Sequence, residues 1–207
     1  MDTFEEKRRN MKIYDISNEL LTAKAYPGDP VPKIEKLLSI GGGDVCNLST
    51  LSLCAHNGTH VDSPYHFLND GITVENIPLY KTVGYAYVCE KHGSLTKEDA
   101  KGIIEKAKAQ NTDAANRILI KGDAVVTSEA AAVFAEANIY LLGNESLTVG
   151  PFDAPMQVHK ILLEKEIVLL ENICLNNVNE GVYFLNSAPL KIGGSDGAPC
   201  RAILIEL

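Results

Sequence analysis

Hydrophobic and polar residues alternate, or form short apolar runs, through the first 90 residues, a pattern typical of β-strands. The strands predicted there cover residues 11–17, 33–40, 45–55 and 82–90. Turns rich in Gly, Pro, Asn and Asp separate them, at 26–30, 41–44 and 69–71. The first part of the chain is therefore predicted to be β-rich.

After residue 95 the apolar positions recur at helical spacing. The stripe of the first predicted helix is Ala100, Ile103, Ile104 and Ala107, and that of the second is Ala130, Val133, Phe134 and Ala137. Thr96 is placed to cap the first helix, and Thr127 or Ser128 the second. A third helix is predicted over 156–164, and strands over 117–121, 139–143, 167–170, 183–185 and 201–206.

Strands that alternate with helices are typical of right-handed crossovers and of a sheet with a parallel portion. No linker, internal repeat or low-complexity segment divides the sequence. We therefore predict one α/β domain with a mixed sheet over residues 11–207, preceded by a flexible tail at 1–10.

Composition and charge exclude several classes of partner. The chain has 207 residues, with 19 Lys and Arg against 27 Asp and Glu, for a net charge of −8. Because this charge repels phosphate groups, neither nucleic acid nor an anionic membrane is an expected partner. Five scattered cysteines without a CxxC pair argue against a disulfide framework. With no apolar signal segment or membrane-length run, we expect a cytoplasmic protein.

The candidate chemistry is concentrated between residues 53 and 67. Three of the five histidines and one carboxylate lie there: His56, His60, Asp62 and His66. All four positions are even, so an extended backbone would direct the four side chains to one face. A helix would place Asp62 about 200° around from His60, and Gly58 and Pro64 also disfavour a helix.

Imidazole and carboxylate groups are ligands of zinc, manganese and iron, and three protein ligands leave a position open for water. We therefore predict a catalytic metal site. A helical HExxH metalloprotease site is excluded, since Asn57 stands where the general-base Glu should be. The alternative is a polar loop whose histidines form hydrogen bonds to the backbone. In such a loop, three imidazoles and one carboxylate would share one face only by chance.

Other residues remain open from spacing alone. His159 lies on the predicted helix 156–164 and is compatible with a core residue or a ligand. Glu171 follows the strand 167–170, at the kind of strand end where α/β sites form, but it could also be solvated. Tyr26, Tyr65 and Phe67 are candidates for a substrate pocket because aromatic side chains line such pockets.

The central segment resembles the signature of a known family. The pattern His56-x-Gly-Thr-His60-x-Asp62-x-Pro-x-His66-Phe67 is similar to that of the putative cyclase family, which includes bacterial kynurenine formamidases and isatin hydrolases. Weaker blocks extend the similarity over nearly all of the chain after residue 10, at 15–17, 27–29, 171–172 and in the tail 189–201. One departure is Gly-Asn-Glu-Ser at 143–146, where many relatives have Gly-x-Asp.

The resemblance implies a swivelling β/β/α fold and a homodimer or homotetramer. It also implies that His56, His60 and Asp62 bind a metal and that His66 transfers protons. In formamidase-like relatives a second metal is bound by the positions that match His159 and Glu171, with Asp62 bridging. Zinc is expected, or manganese, with one or two ions per chain.

The implied activity is hydrolysis of a small-molecule substrate by metal-activated water. The bond cleaved would be the C–N amide bond of an N-formyl arylamine, as in kynurenine formamidase, or of a related cyclic amide. The alternative is a non-catalytic metal- or ligand-binding protein with the same fold, an interpretation that Asn144 in the departing segment keeps open.

Overall fold

The computed structural model of the protein describes residues 11–206, so the tail predicted at 1–10 lies outside the described residues. The strands are β1 (Lys12–Asp15), β2 (Lys33–Leu38), β3 (Leu48–Ser52), β4 (His60–Asp62), β5 (Val83–Glu90), β6 (Ser94–Leu95), β7 (Arg117–Lys121), β8 (Val125–Val126), β9 (Leu141–Asn144), β10 (Val168–Glu171), β11 (Gly181–Asn186), β12 (Gly197–Pro199) and β13 (Ile203–Glu206). The helices are α1 (Leu79–Thr82), α2 (Lys97–Gln110), α3 (Ser128–Glu136) and α4 (Met156–Leu163).

Nine strands form one mixed sheet in the order β1-β13-β11-β5-β7-β9-β10-β4-β12. The central strands β5, β7, β9 and β10 are parallel, and the strands on both sides of them pair antiparallel. Strands β2 and β3 form a separate antiparallel hairpin, and β6 and β8 form a short parallel pair. This architecture confirms the predicted single-domain α/β fold with a mixed sheet. The exact domain boundary at residue 11 stays a prediction.

The central strands divide their side chains between two cores, because successive residues of a strand point to opposite faces. In β7, Ile118 and Ile120 pack with the helices, whereas Leu119 packs with the core on the other face. The four apolar positions predicted for α2 are all buried, and Thr96 caps this helix in a capping box with Asp99. None of the helices within residues 11–206 has the length and apolar character needed to cross a bilayer.

Three local predictions need correction. The strand predicted over 45–55 extends only over β3, and turns follow it. Ala137 is exposed, because α3 ends one residue earlier. The segment 193–199, predicted as a loop, contains β12, which pairs with β4. As a result β4 lies between β10 and β12, which places its residues in the interior of the molecule.

Candidate metal centre

Strand β4 provides the middle of the site. His60 and Asp62 are two residues apart on this strand, so their side chains share a face, and both are buried. The register with β10 pairs His60 with Glu171. As a result, Nε2 of His60 lies 3.3 Å from Oδ1 of Asp62 and 3.5 Å from Oε2 of Glu171.

His56 and His66 reach the same place by turns, and the prediction of one extended segment is wrong here. Gly58 has a φ of +63°, so the chain turns between His56 and His60. Residues Pro64–His66 form a 3-10 turn after β4. Nδ1 of His56 nevertheless lies 2.8 Å from Oδ1 of Asp62, and the His56 and His66 ring centroids are 4.0 Å apart.

The structure brings His159 and Glu171 to this cluster, a position that spacing alone left open. Nε2 of His159, on α4, lies 3.2 Å from Oε1 of Glu171 and 3.6 Å from Oδ2 of Asp62. The backbone N–H of Val149 donates to Oε1 of Glu171 at 2.6 Å, which fixes this carboxylate in the interior. All the predicted ligands therefore meet around Asp62.

His60 and His159 each direct one ring nitrogen toward the carboxylates of the site. The other ring nitrogen, here called the outer nitrogen, lies near a backbone carbonyl. Nδ1 of His60 lies 2.9 Å from the Gly58 carbonyl, and Nδ1 of His159 lies 3.0 Å from the Pro155 carbonyl. Because a carbonyl only accepts, each Nδ1 carries the proton and Nε2 is left to face the carboxylates. Hydrogen-bonded outer nitrogens of this kind are usual for metal-bound histidines.

His56 uses a side chain instead, and sequence reasoning missed its partner. Nε2 of His56 lies 2.9 Å from Oδ2 of Asp196, in the loop before β12. The available signal was that this carboxylate lies within the tail 189–201 that resembles the family. It was overlooked because its distance in sequence from the central segment gave no reason to place it at the site.

The donor set fits a divalent transition metal. Oδ2 of Asp62 is buried and has no hydrogen-bond partner among residues 11–206, a costly arrangement for a carboxylate oxygen. Two groups of possible ligands, each with its ligand atoms within 4.8 Å of one another, share Asp62. They are His56, Asp62 and His66, and His60, Asp62 and Glu171. Imidazole and carboxylate together suit zinc or manganese.

Burial and charge act in opposite directions on the imidazoles. Burial lowers the pKa of His56, but Asp62 and Asp196 outweigh it and raise this pKa to about 11. Burial also lowers the pKa values of His60 and His159, but Asp62 and Glu171 outweigh it and raise both to about 10. His66 differs: burial, reinforced by neighbouring imidazoles, lowers its pKa below 6.5. His66 is therefore the neutral imidazole of the site near pH 7.

A cavity of about 320 Å³ opens onto these groups. Its walls include Tyr26 and Phe67, and the centroid of the Phe67 ring lies 4.7 Å from that of the His159 ring. Tyr65 does not line this cavity and is 40% exposed. Tyr65 is therefore not part of the cavity wall that contains His66 and Phe67.

The family model described as "Putative cyclase" matches residues 13–169. The chain belongs to the putative cyclase family. Two relatives named kynurenine formamidase agree: one from Salinibacter ruber is 34% identical, covering 94% of this chain and 97% of the relative. The other, from Erythrobacter litoralis, is 29% identical and covers 100% and 98%. The family prediction is therefore confirmed.

Solved structures extend the comparison. A "predicted metal-dependent hydrolase" from Bacillus stearothermophilus has 29% identity and a TM-score of 0.72, covering 95% of this chain and 99% of its own. Isatin hydrolase A from Labrenzia aggregata has 19% identity and a TM-score of 0.81, covering 96% and 95%, and shows the shared fold. The two kynurenine formamidases and the 29%-identical hydrolase structure confirm the predicted hydrolase class. The name of that structure and the two ligand groups around Asp62 support a divalent metal as cofactor.

The segment Gly-Asn-Glu-Ser at 143–146 has a structural role. Asn144 is buried on β9 and donates from Nδ2 to the Thr148 carbonyl at 3.2 Å. Glu145 accepts from the backbone N–H groups of Gly122 and Leu175 at 2.7 and 2.6 Å. Thr148 lines the cavity, so the segment supports the cavity wall from behind.

Proposed function

We propose that the protein is a metal-dependent amide hydrolase that cleaves an N-formyl arylamine, as kynurenine formamidase does, or a related cyclic amide. One observation carries the proposal: the buried carboxylate of Asp62 stands between two groups of metal-ligand side chains, and its Oδ2 has no hydrogen-bond partner within residues 11–206. The names of the relatives supply the substrate class.

We further propose that each chain binds two metal ions. Zinc is the metal we expect, and manganese is the alternative. The support is that Oδ1 of Asp62 faces His56 and His60, whereas Oδ2 faces His159. A divalent metal bound there would acidify a water molecule and polarise the substrate carbonyl. His159→Gln should reduce the metal content from two ions to one, as counted by elemental analysis. An unchanged count would remove His159 from the ligand set.

His66 is the residue proposed to transfer protons. Its side chain lines the cavity and keeps 27% of its surface exposed, so a substrate atom can reach it. Its lowered pKa keeps the ring neutral near pH 7, and it can therefore accept a proton and then donate one to the leaving nitrogen. The other three imidazoles lie close to the Asp62 carboxylate, His56 and His60 at Oδ1 and His159 at Oδ2, as ligands of a shared metal site would.

The cavity suits a small aromatic substrate. Tyr26 and Phe67 provide apolar surface beside the imidazoles, and the Tyr26 hydroxyl donates to the Phe152 carbonyl at 2.7 Å, which holds this ring in place. A volume of about 320 Å³ lies at the lower end of the range for small-molecule pockets. A planar arylamide would fit against these rings with its amide directed at Asp62.

The test is turnover by the metal-loaded protein against N-formylkynurenine, another N-formyl arylamine, a cyclic amide such as isatin, and a lactone. We expect hydrolysis of an N-formyl arylamine or cyclic amide that stops after chelation and returns when metal is restored. Bound metal without turnover of any of these substrates would favour the alternative of a non-catalytic metal- or ligand-binding protein. The same preparation with His92→Ala, a surface histidine, is the matched control.

We also propose that the protein assembles as a homodimer or homotetramer. The β2–β3 hairpin supports this, because a two-stranded hairpin is marginally stable on its own. Its apolar side chains, each at least 48% exposed, are Ile34, Leu37, Ile40, Val45, Leu48 and Leu51. An apolar surface of this kind usually marks an interface.

A cytoplasmic location is proposed from cysteine chemistry. All five cysteines, which lie within the described residues, are free thiols. Unpaired cysteines are usual where the compartment is reducing, and secreted proteins more often pair them.

A further inference from the structure

One carboxylate outside the predicted ligand set touches two histidines of the site. Oδ2 of Asp196 lies 2.9 Å from Nε2 of His56 and 3.4 Å from Nδ1 of His66. The two imidazole rings are tilted by 34° to each other, with centroids 4.0 Å apart. A single oxygen therefore faces a proposed ligand and the proposed proton carrier at once.

The loop is anchored so that this oxygen stays in place. The Asp196 carbonyl accepts from both the backbone N–H and the hydroxyl of Ser63, at 3.0 and 2.9 Å. Ser63 is fully buried and directly follows Asp62, so the loop is tied to the strand that forms the centre of the site. Gly197 fits closely against the His56 ring, since a Cβ there would lie 2.9 Å from Cε1 of that ring.

The contact determines which nitrogen of His56 faces the ligand cluster. A carboxylate accepts, so Nε2 of His56 donates to Asp196, and in the neutral ring Nδ1 is left with a lone pair. Nδ1 is the nitrogen that lies 2.8 Å from Asp62. His60 and His159 have backbone carbonyls in the equivalent outer position, so among these three described imidazoles only His56 depends on a side chain.

We infer that Asp196 is a positioning residue that fixes the tautomer of His56 and orients the ring of His66. The inference rests on the proposed metal-dependent function. Removing Asp196 should free the His56 ring to rotate or change tautomer, which weakens metal binding. It should also release His66 from its orientation over the cavity, which slows proton transfer even when the metal is saturating.

The test compares Asp196→Ala and Asp196→Asn with wild type, using Asp123→Asn as the control. Asp123 also pairs with a histidine, at 2.6 Å from Nδ1 of His92, but on the surface and away from the site. Metal affinity is measured by competition with a chromogenic chelator, and kcat and KM are measured separately at saturating metal. Thermal unfolding of each variant checks that it is folded.

We expect Asp196→Ala to bind metal roughly 10–100-fold more weakly. Its kcat should fall at saturating metal while KM stays close to that of wild type. Asp196→Asn keeps an acceptor oxygen and should lose less affinity, and it carries the test if the alanine variant does not fold. Wild-type metal affinity and kcat in the folded variants would overturn the inference. Wild-type protein that binds no metal would instead contradict the proposed function.

Discussion

His60 on β4 and Glu171 on β10 are direct cross-strand partners, and their side chains meet with 3.5 Å between Nε2 and Oε2. The pairing results from the antiparallel register, since a shift of one residue would turn one of the two side chains to the opposite face. The sheet thus joins the central segment to a carboxylate more than a hundred residues later in the chain. The same register places Asp62 opposite Leu169, within reach of His159 on α4.

Replacing His66 by alanine should separate proton transfer from metal binding. We expect His66→Ala to keep its metal content and to lose roughly 10²–10⁴-fold in kcat, the usual contribution of a positioned acid or base. Elemental analysis and initial rates on the substrate found active in the panel measure the two quantities. His92→Ala should match wild type in both. Loss of metal in His66→Ala would make His66 a ligand, as its grouping with His56 and Asp62 also allows.

The proposed subunit interface on the β2–β3 hairpin can be tested by substitutions on the two faces of the hairpin. Leu51 pairs with Ile34 on one face, whereas Thr50 pairs with Glu35 on the other. If the apolar face is the interface, Leu51→Lys should lower the molar mass measured by light scattering during size-exclusion chromatography, and Thr50→Lys should not. An equal mass for wild type and both variants would remove this face as the interface.

Metal binding should release protons and strengthen as pH rises. In the metal-free protein the pKa values of His56, His60 and His159 are raised to about 11, 10 and 10, so near pH 8 these rings carry protons that a metal must displace. Metal affinity should therefore increase between about pH 7 and pH 10. Calorimetric titrations in two buffers of different ionisation enthalpy measure the protons released. Binding without proton release would contradict the assigned protonation states.

Much of the fold could be predicted because its signals are local. The buried stripe of α2 and its Thr96 cap follow from helical spacing and capping chemistry, and the structure reproduces both. The metal-ligand types around His60 and Asp62 were likewise visible in one short segment. We predicted that an extended backbone would bring the histidines of this segment together with Asp62. In the structure two turns do so, one at Gly58 and one over Pro64–His66.

The features that could not be predicted depend on contacts between segments that are far apart in the sequence. Strand β12 was missed because Gly-Ala-Pro at 197–199 contains no strand-forming residue, and its pairing with β4 alone makes it a strand. Asp196 was missed for the same reason, since its place beside His56 depends on the loop docking onto Ser63. Tyr65 was misplaced because sequence proximity to His66 says nothing about which side of a turn a residue occupies.

The central claim is that the side chains around Asp62 bind a divalent metal. Elemental analysis of purified, folded protein tests it most directly, with His60→Ala as the disrupting variant and His92→Ala as the matched control. The account predicts at least one transition-metal ion per chain in wild type and in His92→Ala, and its loss in His60→Ala. Folded wild-type protein that stays metal-free after incubation with zinc or manganese would contradict it.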